Sequence, residues 1–183
     1  MTVSATSFDE TIVRLLRAGA IGVLRTDTLY GIVAKADNER AVEHVYAVKQ
    51  RTPSKSPIVL IASVDQLFDV YDETVLFRLN ELWPGKNSVI LPSGSAPSWI
   101  VRDNASVAYR IPDNEALRTL LRQTGPLIAP SANPEGEPPA LSVEEAKRYF
   151  GNEVDFYVDG GVVHDDTPSK LYRLREHDLE RLR

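Results

Sequence analysis

The stretch Asn38–Ala62, NERAVEHVYAVKQRTPSKSPIVLIA, decides the fold class. Its first half is helical by spacing: Asn38 can cap, and Ala41, Val42, Val45 and Val48 share one apolar face. Its second half, Ile58–Ala62, is a short continuous apolar run of the kind that forms a buried strand. Between them Lys49, Arg51 and Lys55 lie at a helix end and in a Pro-punctuated loop. With the strand Ile21–Leu24 upstream, the order is β to α to β, which predicts a sheet with ligand-binding loops at strand ends.

The same alternation continues outward. Ser7-Phe8-Asp9-Glu10 has capping-box spacing and opens a helix with Ile12, Leu15 and Leu16 on one face, ending at Gly19. Ser63-Val64-Asp65-Gln66 is a second capping box, and Val75, Leu76, Leu79 and Leu82 mark a helix stopped by Trp83-Pro84-Gly85. Strands are expected at Ser88–Leu91, Val107–Ile111, Leu127–Ala129, Phe156–Val158 and, more weakly patterned, Leu171–Leu174; helices at Ala116–Gln123 and Ser142–Phe150. The expected fold is therefore α/β: a twisted, mixed or largely parallel sheet with helices on both faces. Residues 1–183 are read as a single domain, since neither repeats nor a linker interrupt them.

Composition narrows the partners. A net charge of -5 argues against a broad footprint for nucleic acid or an anionic membrane, so a basic site must be local and suited to a small anion. No cysteine is present, which excludes thiolate chemistry, disulfides and Cys-ligated zinc. His44, His164 and His177 lack ligand spacing, and the adjacent Asp165-Asp166 reads as a solvated pair, so no metal site is assigned. No apolar stretch reaches membrane-span length and Met1–Ser4 does not resemble a signal peptide, so a soluble cytoplasmic protein is expected.

Several polar groups fall at strand ends. Thr26-Asp27-Thr28-Leu29-Tyr30-Gly31 follows the first strand, with Gly31 read as easing a tight turn; it is either a site segment or a turn bonding its own backbone. Ser131-Ala132-Asn133 follows another strand and offers a hydroxyl, an amide and backbone N–H groups. Arg110 closes a strand before Pro112, where it could clamp a carboxylate or form a surface pair. Lys49 and Arg51 suit polyphosphate, although a solvated helix end would carry the same residues. There is no G-x-x-x-x-G-K-[ST] loop, G-x-G-x-x-G, H-E-x-x-H or G-x-S-x-G.

Taken in order, Thr26–Gly31, Lys49-x-Arg51 with Lys55, Trp83-Pro84-Gly85, Arg110-Ile111-Pro112 and Ser131-Ala132-Asn133 resemble the YrdC/Sua5 family of threonylcarbamoyl-AMP synthases. The resemblance spans roughly Ile12 to Gly161 and implies a YrdC-like sheet around a basic cavity, in the short, TsaC-like form. It also implies a nucleotidyltransferase joining L-threonine, bicarbonate and ATP, with Mg2+ accompanying ATP. The adenylate would pass to a tRNA threonylcarbamoyl transferase, without stable nucleic acid binding or membrane association. Lys49 and Arg51 would act on the triphosphate, with Lys55, Ser88, Ser131 and Asn133 also on ATP. Thr26, Thr28, Tyr30, Arg110 and Ser169 would form the threonine and carbamate side. Leu60 stands where many members carry His, and Lys170 where Thr is usual. Two other readings remain open at this point: a nucleotide- or RNA-binding module without chemistry, and carbamoyl transfer to another acceptor.

Overall fold

A computed structural model describes residues 2–183. Its strands are β1 (Val3–Ala5), β2 (Gly22–Arg25), β3 (Tyr30–Lys35), β4 (Ile58–Leu60), β5 (Asn87–Pro92), β6 (Ser106–Arg110), β7 (Leu127–Ile128), β8 (Phe156–Val158), β9 (Lys170–Arg175) and β10 (Asp178–Arg181). The helices are α1 (Glu10–Arg17), α2 (Glu39–Lys49), α3 (Glu73–Asn80), α4 (Ser98–Val101), α5 (Glu115–Thr124) and α6 (Val143–Phe150). Among the described residues no helix is long and apolar enough to cross a membrane.

The strands form one 10-stranded sheet in the order β1-β8-β2-β3-β7-β4-β6-β5-β9-β10. Pairing is parallel at β1/β8, β2/β8, β4/β6 and β5/β9, and antiparallel at β2/β3, β3/β7, β4/β7, β5/β6 and β9/β10. The sheet is thus mixed rather than largely parallel. One of the antiparallel pairings is β2 with β3, which join through the short loop Thr26–Leu29 as a hairpin instead of crossing over a helix. Sequence patterning did not separate β3 from the preceding polar motif, and β1, β10 and the single turn α4 were also unmarked.

Side-chain alternation along the central strands divides the interior into two layers. Val23, Ile32, Val59, Ile128 and Tyr157 face a core shared with Val42 and Val45 of α2, Val75 and Leu79 of α3, and Ala146 and Phe150 of α6. Their neighbours Leu24, Val33, Leu60, Leu127 and Phe156 face a second core with Ile12 and Leu16 of α1 and Leu117, Leu120 and Leu121 of α5. Helices therefore cover both faces, as the apolar patterning required. Gly22 permits this closeness: a β-carbon there would meet the Phe156 ring at 2.4 Å.

Candidate active site

The hairpin loop between β2 and β3 is organised by its own hydroxyls. Thr26 Oγ1 donates to Leu29 O at 2.7 Å and accepts from Thr28 N–H at 3.2 Å. Having spent its one proton, Thr26 must be the acceptor in its 3.1 Å contact with Thr28 Oγ1. Thr28 in turn lies 3.3 Å from Arg110 Nη2, from which it accepts. The chain of bonds leaves Thr28 one acceptor position for a ligand N–H.

Arg110 stands at the end of β6 with its side chain 4% exposed, paired at 3.1 Å with Asp27, itself 2% exposed. Burial pushes the Arg110 pKa down while the Asp27 carboxylate opposes that shift. Arg110 Nε is buried without a partner, so part of its donor fork is uncommitted. Asp27, which no local pattern distinguishes from a turn aspartate, is the buried carboxylate paired with Arg110.

Tyr30, at the start of β3, is fully buried and reaches the turn after β8. Its hydroxyl accepts from Gly160 N–H at 2.9 Å and donates to Gly161 O at 2.8 Å. Burial raises its pKa. Gly31 is not a turn residue: it pairs within β3, and a β-carbon would stand 3.4 Å from Pro130 O and the Thr26 methyl. The glycine leaves open space along the wall of the site rather than easing a bend.

These groups converge on a cavity of about 350 Å³, within the range of small-molecule sites. Of the sequence-identified residues, Thr26, Thr28, Tyr30, Arg51, Arg110, Ser131 and Ser169 line it. Arg183 lines it as well and no Asp or Glu does, so the lining side chains are positive within an acidic chain. Lys49, Lys55, Ser88 and Asn133 are not on its wall. Lys49 is 2% exposed and donates to the carbonyls of Ser131 and Asn133 from beneath. In this position its ammonium holds the Ser131–Asn133 segment that borders the cavity. Lys55 pairs with Glu135 at the protein surface. Ser88 is fully buried behind Ser169, their hydroxyls 3.0 Å apart. Asn133 donates to Pro134 O and Glu137 O at 2.8 and 2.7 Å, leaving its side-chain oxygen buried and unpartnered.

With this geometry in place, comparison with known proteins identifies the lineage. The Sua5_yciO_yrdC family, described as Telomere recombination, matches residues 14–183. The chain belongs to the Sua5/YciO/YrdC family. A threonylcarbamoyl-AMP synthase of Stutzerimonas stutzeri (strain A1501) is 33% identical over 174 residues, 93% of this chain and 94% of the relative. Two structures of P. abyssi Sua5 are similar across 100% of this chain. The H234A/Y235A variant has a TM-score of 0.90 at 28% identity, and the complex with L-threonine 0.88 at 27%. The chain spans 57% of each of those longer proteins.

Within this Sua5/YciO/YrdC fold, two departures from the family pattern fall outside the cavity. Leu60 is fully buried in the α1/α5 core and Lys170 is exposed on β9. Arg183 was missed because its sequence context is an ordinary run of charged residues. It reaches the cavity because β9 and β10 form a hairpin that returns the chain, where Arg183 Nη2 donates to Ser169 O at 3.1 Å.

Proposed function

We propose that the chain is a threonylcarbamoyl-AMP synthase of the cytoplasm. It would join L-threonine, bicarbonate and ATP into L-threonylcarbamoyladenylate and pyrophosphate, and pass the adenylate to a tRNA threonylcarbamoyl transferase. The observation that carries this reading is the convergence of Arg51, Arg110 and Arg183 with Thr28, Ser131 and Ser169 on one cavity. Family membership and a curated synthase 33% identical over 93% of the chain support the same reaction.

The chemistry explains the residue set. Threonine's amine adds to the carbon of bicarbonate and water is lost, giving a carbamate whose oxygen then attacks the α-phosphorus of ATP as pyrophosphate leaves. Every reactant is anionic or becomes so, so bringing them together is limited by repulsion. Fixed cations and donors offset that repulsion without a protein nucleophile. Arg51 and Arg183 would hold the phosphates, with the Ser131 hydroxyl completing that side. The free part of the Arg110 fork suits the amino-acid carboxylate, and the remaining acceptor position of Thr28 suits an amine or carbamate N–H. Ser88 acts through Ser169, and Lys49 through the segment it anchors. Magnesium would enter with ATP. No Asp or Glu lines the cavity, and no group of three or more His, Asp or Glu able to hold a metal occurs among the described residues. Phosphate oxygens would hold the ion.

The test is pyrophosphate release with substrates omitted one at a time. Release requiring ATP, threonine and bicarbonate together, and falling at least about a hundredfold in Arg51→Ala, is the expected result. Near-normal turnover in Arg51→Ala removes the phosphate role, and equal turnover across a panel of amino acids removes threonine as the dedicated acceptor.

A further inference from the structure

Glu135 lies just past Asn133, and its carboxylate gathers three donors from a single loop. Thr52 gives its backbone N–H to Oε2 and its hydroxyl to Oε1 at 3.0 Å, and the Lys55 ammonium also reaches Oε1. The Glu135 backbone N–H donates to Lys49 O at 2.8 Å, which ties this segment to the end of α2. A backbone N–H, a hydroxyl and an ammonium converging on two oxygens is a donor set that equally accepts a phosphate group. The loop is continuous with the cavity through Arg51, which lines it and donates to Ser56 O at 3.1 Å. Lys55, followed by the Thr52 donors, holds the Glu135 carboxyl down to about 2, so it remains an anion throughout the neutral range. A change of pH there does not release it; a competing anion can.

We propose that Glu135 is an internal anion occupying the phosphate-accepting groups of the Thr52–Lys55 loop, and that the polyphosphate of the nucleotide displaces it on binding. Glu135 then sets nucleotide affinity from outside the cavity. It neutralises Lys55 before ATP arrives and reclaims the loop when pyrophosphate departs, which lowers affinity for substrate and product alike. This inference rests on the nucleotide-binding part of the proposed function.

Calorimetric titration of the whole chain with magnesium-ATP, threonine absent, tests it. Glu135→Gln keeps the side chain's shape and removes its charge; it should bind ATP about fivefold more tightly than wild type, with the gap narrowing as salt is raised. Inorganic pyrophosphate should show the same order. Unchanged or weaker ATP binding by Glu135→Gln, with a native melting transition, overturns the inference and leaves the synthase reading standing, since the carboxylate would then only brace the loop. If that variant does not fold, Glu135→Ala is judged by the same criterion. Absence of ATP binding to wild type and variant alike overturns the synthase reading and this inference with it.

Discussion

At Lys49, burial sets a cation against two backbone carbonyls of the segment beside the cavity. Its ammonium satisfies the carbonyls of Ser131 and Asn133, and desolvation, reinforced by Arg51, lowers its pKa from 10.5 to about 7. Above that value the neutral amine still carries two N–H bonds, enough for both carbonyls. Between about 7 and 10.5 the unfolded chain therefore binds more protons at this site than the folded chain. Stability contributed by Lys49 rises with pH through that window. Urea unfolding of wild type and Lys49→Met should shift in favour of wild type between about pH 6 and about pH 9. A difference that stays constant or reverses would show that the ammonium is not held in a desolvated site.

Helix starts show how one local pattern can have two outcomes. The capping-box spacing Ser7–Glu10 predicts Ser7 as the cap, but Asp9 performs that role, accepting from Ile12 N–H at 3.1 Å. At Ser63–Gln66 the same spacing yields only a 3-10 turn with no side-chain cap, because Leu67 is already extended. There Gln66 accepts instead from Ala62 N–H at 2.7 Å. Asn38, Asn114 and Ser142, by contrast, each accept from the N–H three residues on. Asp9→Ala should cost roughly 1 kcal/mol and Ser7→Ala less than about 0.5 kcal/mol in chemical denaturation. Equal losses would restore Ser7 as the cap.

Across the whole molecule, the decisive feature is a local hollow with positive lining side chains in a chain of net charge -5. It is assembled from loops beside β2, β4, β6, β7 and β9, and completed when the β9–β10 hairpin brings Arg183 back to Ser169. Arg183→Ala should raise the KM for ATP about tenfold, the equivalent of ~1.4 kcal/mol, with little change in melting temperature. An unaltered KM would make Arg183 a brace for Ser169 rather than a substrate contact. Because the chain carries a net charge of -5 and its cavity gathers only Arg51, Arg110 and Arg183, RNA binding should remain weak while ATP binding is retained.

The sequence by itself determined the helix faces, most of the buried strands and the chemical character of the site. Apolar period, capping residues and cationic loops are properties of neighbours along the chain. Tertiary structure alone decided strand order, the mixed direction of the sheet and the task of each charge. Lys49 meets Ser131 across 82 residues, and Arg110 meets Thr28 across 82. Whether a cation faces substrate, supports a loop or neutralises a carboxylate depends on what such distant segments place beside it and on how much water they remove.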